Sequence, residues 1–501
     1  MSSSFVWDLK NSSGFVHGQR YTLDPASQHV PLNATQRALR PPRPIVPANY
    51  ETFIGLPSYR DGNRCGFTLF TALSRASRPE SLVIGVVDQT RAGDVACVDA
   101  YCQLAAAHWP TDTTCRYQDR IRVDARDADA STGPIAARVR LNALIQDEAF
   151  CLLTDAHMQF LPNWDDELVA DWTRTENEMA VLSVYPRGFE WIGPNLTPPV
   201  TQTRHICYFE HPAPAIVPIY SSILLDNSST PQLGAFVGAG FQFSKCHAQT
   251  RVPLDARLRW VFLGEEFLRS MQLWTHGYDI YSPSRQGHVV FHDENRIGHN
   301  GTFFENVDRA REDAVDLDAR AMELELSMNR IRQQAHLPLM GAADETDVET
   351  YYPKDLVRSV DAYLAFVGVS NTDVTKEQSP CDQLHWVPYT DPAPIQALVP
   401  GYAMVDMQRN NETASVHVPY TNPAPIQVPV PGDETVAMQH NDTVDMQRKN
   451  DAASVCLVAV VVVVALAAVV GGCVRRCRRQ AVAYTRVATE GEDDTCALKR
   501  V

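Results

Sequence analysis

Ala149-Phe-Cys-Leu-Leu-Thr-Asp155-Ala-His157-Met-Gln-Phe-Leu-Pro-Asn-Trp164 is the stretch whose reading decides the fold. Six apolar or small residues, Ala149 to Thr154, run straight into Asp-x-His, as a buried strand does when it surfaces at the edge of a sheet. In an extended segment residues i and i+2 share one side, so Asp155 and His157 can face one cation. A carboxylate with an imidazole suits a borderline divalent ion such as Mn²⁺. The tripeptide alone is a weak signal, because it arises by chance in many chains. Its place at the end of an apolar strand gives it weight.

Working outward, a second strand–helix–strand pattern lies upstream. Phe53-Ile-Gly-Leu-Pro-Ser-Tyr-Arg-Asp61 reads as a strand, Phe67–Ala76 as a helix and Leu82-Val-Ile-Gly-Val-Val-Asp-Gln89 as another strand. β–α–β connections imply a parallel sheet with ligands at the strand C-terminal ends. Ser58, Arg60, Asp61, Asp88 and Gln89 sit at those ends. No GxGxxG or GxxxxGK[ST] accompanies them, which leaves dinucleotide and P-loop phosphate binding unsupported.

Downstream, Leu233-Gly-Ala-Phe-Val-Gly-Ala-Gly-Phe-Gln-Phe is glycine-rich and apolar, suited to close approach of backbone to a sugar or nucleotide. Gly264-Glu265-Glu266-Phe267 places two carboxylates at a loop-to-helix junction; acid at a helix N-terminus is also ordinary there. His288 and His292 follow in Gly287-His-Val-Val-Phe-His, and either can complete a cation site or simply sit in a strand.

Taken in order, Pro57-Ser-Tyr-Arg-Asp61, Thr154-Asp-Ala-His-Met-Gln-Phe160, Gly264-Glu-Glu-Phe267 and Leu273-Trp-Thr-His-Gly-Tyr-Asp279 resemble the GlcNAc-transferase family, over about residues 50–375. More distantly they are similar to polypeptide GalNAc-transferases. The resemblance implies a GT-A-like, Rossmann-type α/β domain, UDP-GlcNAc as donor (UDP-GalNAc less so), Mn²⁺ or Mg²⁺, and retention of anomeric configuration. Carried over, Asp155, His157 and His292 hold the metal, with His292 the better match than His288. Glu266, with Glu265 beside it, contacts the donor sugar or acceptor and is the catalytic candidate. Arg138, in Gly133-Pro-Ile-Ala-Ala-Arg138, faces the donor phosphates. Ser58, Arg60, Asp61, Asp88 and Gln89 lie by the nucleotide. The implied acceptor is a polypeptide hydroxyl, of Thr, Ser or hydroxyproline.

The rest of the chain bears on location. Of 501 residues, 44 are basic and 60 acidic, a net charge of −16. Residues 475–501 carry seven basic and four acidic groups, so the remainder is −19, a poor phosphate-backbone binder. Residues 1–48 read as irregular and 49–375 as the catalytic body. A Pro-rich stalk, 376–451, repeats Val387-Pro-Tyr-Thr-Asp-Pro-Ala-Pro-Ile-Gln as Val418-Pro-Tyr-Thr-Asn-Pro-Ala-Pro-Ile-Gln, 31 residues later. Residues 452–474 are uncharged and long enough to span a bilayer. The arginine cluster beginning at Arg475 opens a basic tail, 475–501, expected on the cytoplasmic side.

Seven sequons, starting at Asn11, Asn33, Asn195, Asn227, Asn300, Asn411 and Asn441, fit a lumenal body in a secretory or Golgi membrane. The N-terminus has no apolar core of signal-peptide length; either the true N-terminus lies outside this sequence, or the body is cytosolic and the span is a C-terminal anchor. Eight body cysteines suit either, and their pairing is not legible in sequence. Two rival readings stay open: a non-catalytic surface receptor or adhesin with a globular head on a glycosylated stalk, and a metal-dependent hydrolase.

Overall fold

The computed structural model describes residues 12–16, 19–198, 202–210, 218–226, 228–294, 303, 317–354 and 356–403. All lie in the first of two units of the chain, Met1–Ser415. The strands are β1 (Ser12–Val16), β2 (Gln19–Leu23), β3 (Thr52–Tyr59), β4 (Leu82–Thr90), β5 (Ile121–Asp127), β6 (Phe150–Thr154), β7 (Met158–Phe160), β8 (Ala180–Ser183), β9 (Gln202–Glu210), β10 (Ile219–Asp226), β11 (Gln232–Gly234), β12 (Phe241–Lys245), β13 (Asp279–Ser282) and β14 (Val290–His292). The helices are α1 (Gly62–Arg75), α2 (Cys97–His108), α3 (Pro134–Asn142), α4 (Trp164–Arg174), α5 (His247–Arg251), α6 (Glu265–Thr275), α7 (Leu317–Gln334), α8 (Val348–Tyr351), α9 (Val360–Val367) and α10 (Ala393–Leu398).

The eight-stranded central sheet has the order β11-β13-β8-β12-β6-β3-β4-β5. β6, β3, β4 and β5 run parallel, as the β–α–β pattern requires, and β12 is inserted antiparallel between β6 and β8. Every residue of β6 is buried, the signature of a strand covered on both faces. α1 buries Cys65, Leu69, Ala72 and Leu73 against the sheet. On the same side α4 inserts Trp164 and Trp172, whose indole N–H groups donate to the carbonyls of Ala72 and Ala180. The α/β class expected from sequence is the class observed.

Two smaller sheets complete the structure. β7 and β14 form an antiparallel pair, and β2-β1-β10-β9 form a four-stranded antiparallel sheet. The latter corrects the irregular segment expected over 1–48. β1 pairs with β10 and with β2, and Leu23, Gln28 and His29 are buried. A strand that joins a distant sheet edge gains its order from tertiary pairing, which local composition does not reveal.

A second correction concerns the C-terminal boundary. The stalk expected from 376 onward does not begin there, because Trp386, Tyr389, Ile395, Val399 and Tyr402 are buried in one cluster with Met179, Leu273, Tyr278 and Val357. The long helix α7 runs from Leu317 to Gln334. The shorter α9 begins at Val360, where Ser359 caps it by accepting from the Ala362 N–H at 3.1 Å. Among the described residues no helix is long and apolar enough to cross a membrane. The expected span 452–474, the basic tail and the second repeat lie outside the described residues.

All eight body cysteines pair: Cys65–Cys97, Cys102–Cys115, Cys151–Cys246 and Cys207–Cys381. The last ties β9 to the segment leading into the first repeat. That segment is also held by Arg358, whose buried guanidinium pairs with Asp279 at 2.8 Å and donates to the carbonyls of Trp274, Tyr278 and Val387. Removing one partner of such a pair strands the other charge, at a cost of about 3–5 kcal/mol. Asp279→Ala is therefore expected to lower unfolding free energy by about that amount in chemical denaturation, whereas the exposed Lys354→Ala, which breaks only a surface pair with Glu349, leaves it unchanged within measurement error.

Candidate active site

Strand β6 ends at Thr154, and Asp155-Ala156-His157 forms a bend leading into β7 rather than a continuation of the strand. The shared orientation expected from an extended i, i+2 pair is thus produced by a turn. What closes the cluster is the register of the small sheet: His292 on β14 stands opposite Met158 on β7, next to His157. The pairing extends one step further, with Asp293 N–H donating to the His157 carbonyl at 2.9 Å. The His157 and His292 rings meet edge to face, centroids 4.7 Å apart. One ligand atom from each of Asp155, His157 and His292 lies within 4.8 Å of the others.

The surroundings orient these groups. The His157 Nδ1 stands 3.2 Å from the Asp61 carboxylate, which also pairs with Arg64 at 2.7 Å. A carboxylate behind an imidazole fixes the tautomer and leaves Nε2 as the ligand atom. Behind Asp155 the wall is Gly240, where a Cβ would come within 2.6 Å of Oδ2; any side chain there would displace the carboxylate. His288, the other histidine candidate, is buried and engaged elsewhere, with Nδ1 2.9 Å from the Ser284 carbonyl.

Arg138, on α3, reaches the same point. It is buried, pairs closely with Glu265, and lies 3.4 Å from Asp155. Burial pushes the Asp155 carboxyl up, but the charges of His157, Arg138 and His292 outweigh it and hold the group below its ordinary value. Glu265 goes the other way. Desolvation, reinforced by Glu266 and Asp155, raises it to about 7 despite Arg138. Glu266 is also raised by burial, and accepts from the Tyr185 hydroxyl at 2.5 Å and from Ala239 N–H at 2.7 Å.

Two chambers adjoin this cluster. One, about 640 Å³, includes Pro57, Tyr59, Gln89, Arg138 and Phe303 in its lining. The other, about 440 Å³, includes Tyr185, Arg204, Tyr220, Glu265 and Glu266. Asp155, Arg138 and His292 line both. A larger cavity of about 940 Å³ lies elsewhere, around His276, His336 and Lys354, and is lined by none of the candidate residues.

The structure divides the expected nucleotide residues by strand alternation. Tyr59 and Gln89 are paired neighbours on β3 and β4, and both line the first chamber. Ser58 and Asp88 are the preceding pair and face away: Ser58 is fully buried, and Asp88 accepts from the Cys97 N–H at the start of α2, at 2.8 Å. Arg60 is turned to Asp94 through contacts of 2.7 and 2.9 Å. Asp61 lies behind His157. Of the set, Gln89 and Arg138 line the chamber. Sequence reasoning missed Pro57, Tyr59, Arg64, Tyr185, Gly240 and Phe303. The first two were legible, since they alternate with Ser58 on a strand already identified; Tyr185 and Phe303 carry no local signal.

Because Glu265 is raised, its neutral form is the one folding favours. Its stabilising contribution is complete below the unfolded value near 4.5 and is lost as pH rises through about 7. Glu265→Gln is expected to remove that fall. The difference in unfolding free energy between the variant and the parent, measured in EDTA from pH 4.5 to 8, should shift in the variant's favour with rising pH.

The family profile of glycosyltransferase (GlcNAc) matches residues 100–373. No curated protein matches the chain. Among solved structures, similarity is found to GalNAc-T7 with UDP, GalNAc and Mn²⁺ (13% identity over 64% of this chain and 57% of that one, TM-score 0.40). It is also found to the mannosyltransferase PcManGT from Pyrobaculum calidifontis with GDP-Man and Mn²⁺ (12%, 59% and 76%, TM-score 0.33), and to S. aureus TarS 1–349 with UDP-GlcNAc (11%, 61% and 76%, TM-score 0.31). The chain spans 57% of the GalNAc-T7 chain. With more than half of its length matched by one family, and the matched region carrying Arg138, Asp155, His157, Glu265, Glu266 and His292, this chain belongs to the GlcNAc glycosyltransferase family.

Proposed function

We propose that the protein is a metal-dependent, retaining transferase that moves GlcNAc from UDP-GlcNAc to a hydroxyl of a polypeptide. The observation that carries this is the meeting of Asp155, His157 and His292 at the boundary of two chambers. The donor set fits a divalent ion, one carboxylate and two imidazoles, with Asp61 orienting one ring. When bound, Mn²⁺ or Mg²⁺ supplies the positive charge that a departing nucleoside diphosphate requires.

The chain's own residues support the remaining roles. The first chamber, with Tyr59, Pro57, Phe303 and Gln89, suits a flat base beside a polar amide. Arg138, held rigid by Glu265, stabilises phosphate charge as it grows. Both glutamates are engaged, Glu265 by Arg138 and Glu266 by Tyr185 and Ala239, so neither stands free as a nucleophile. This favours attack by the acceptor hydroxyl on the same face as the leaving group, its proton passing to a departing phosphate oxygen.

The lumenal placement is supported by the four disulfides, because cytosolic thiols are kept reduced. The sequon asparagines Asn33 and Asn195 are exposed. A membrane-anchored lumenal enzyme is the reading these features favour over a cytosolic body. Mapping glycans on Asn33 and Asn195 in the native cell should find them occupied; bare asparagines at both would argue for the cytosol.

Asp155→Asn should abolish Mn²⁺-dependent UDP release and sugar transfer to an acceptor peptide. Asp61→Asn should retain activity at saturating metal while weakening Mn²⁺ affinity about 10–100-fold. Full activity of the Asp155 variant would refute the metal role.

A further inference from the structure

Gly238-Ala239-Gly240, in the glycine-rich segment between β11 and β12, is a turn that touches three separate parts of the site. Ser183, the last residue of β8, pins it: its hydroxyl accepts from the Gly238 N–H at 2.9 Å and donates to the Phe241 carbonyl at 2.7 Å. So held, the turn aims the Ala239 N–H at Oε1 of Glu266, 2.7 Å away. Gly240 backs Asp155, and Gly238 stands against the ring of Tyr185, where a Cβ would come within 2.9 Å of a ring carbon.

Tyr185 holds Glu266 from the other side. It follows β8 by two residues, and its hydroxyl donates to Oε2 of Glu266 at 2.5 Å. Burial and the Glu266 charge both push the phenol pKa up, so the phenol keeps its proton and acts as the donor. The helix is tied to the same segment, because Ser270 donates to the Glu266 carbonyl at 2.6 Å and accepts from the Val237 N–H at 2.9 Å. An acid that only serves a helix N-terminus needs the first-turn N–H groups and solvent. Glu266 is instead held by residues 81 and 27 positions upstream. Each carboxylate oxygen has two lone pairs and receives one of these two donors. One lone pair on each is left for a ligand in the second chamber, which Glu266 and Tyr185 both line.

The geometry points to Tyr185 as a positioning residue that acts through Glu266. With the 238–240 turn it fixes the plane of the Glu266 carboxylate, and the remaining lone pairs receive a hydroxyl of the donor hexosamine and hold the ring in one orientation. The inference rests on the transferase reading above. It gives a role to Tyr185, which lines the second chamber and not the first.

The test is a double-mutant cycle in the full-length protein with Mn²⁺, read by calorimetry as the affinities for UDP and for UDP-GlcNAc. Tyr185→Phe should leave UDP affinity unchanged and weaken UDP-GlcNAc about tenfold, the effect of losing one hydrogen bond to a charged group. In the background of Glu266→Ala the same substitution should weaken UDP-GlcNAc no further. Unchanged UDP-GlcNAc affinity in Tyr185→Phe overturns the proposal. So does an equal loss for UDP, which would make Tyr185 a merely structural residue, and so does a loss that recurs in full without Glu266. A parent protein that binds neither nucleotide with Mn²⁺ would instead sink the transferase reading itself, and the proposal with it.

Discussion

Everything at the candidate site depends on the register of two short strands. β7 and β14 contribute three residues each, and their pairing sets His292 opposite Met158. A slip of one residue would turn His292 to the other face of its strand, leaving a lone Asp-x-His with no third ligand. The pair is braced at both ends of this contact. Arg187 accepts from the His292 N–H at 2.8 Å through its carbonyl, and Asp293 donates to His157. Below it, Thr68 on α1 receives the Met158 N–H on its hydroxyl at 2.8 Å. The first helix of the sheet therefore holds the strand that positions the ligands.

The charge pattern bears on the proposed role of a cation. The lining of the two chambers includes Asp155, Glu265, Glu266, Asp293 and Glu294, against Arg64, Arg138 and Arg204. A nucleoside diphosphate entering such a space meets more acid than base. In the proposed mechanism a divalent ion held by Asp155 would reverse the sign where the phosphates would lie. Arg138 alone would not, because it stands among Asp155, Glu265 and Glu266. The buried Arg138–Glu265 pair costs desolvation, and the raised value of Glu265 records the cost.

Much of this was legible in the chain. The parallel β–α–β start and the apolar run into Asp155 are seen in the structure, because each rests on local hydropathy, and it is His292, the histidine favoured by the family resemblance, that stands with Asp155 and His157. What failed was non-local. Ser58 and Asp88 were taken with their neighbours as strand-end residues, but strand alternation sends Ser58 and Asp88 to one face and Tyr59 and Gln89 to the other. The proline-rich start of the expected stalk carries Trp386, Tyr389 and Ile395, anchors whose burial follows from a groove made by α6 and β13 rather than from composition. The partnership of Arg138 with Glu265 joins residues far apart in the sequence and has no local signature.

The most direct test of the account is anomalous diffraction at the manganese edge from crystals grown with UDP and Mn²⁺. The account predicts one strong peak bonded to Asp155, His157 and His292, in contact with the diphosphate, with the uracil in the chamber lined by Tyr59 and Phe303. UDP bound in that chamber with no metal peak at the three side chains, or a peak held by other residues, would contradict it.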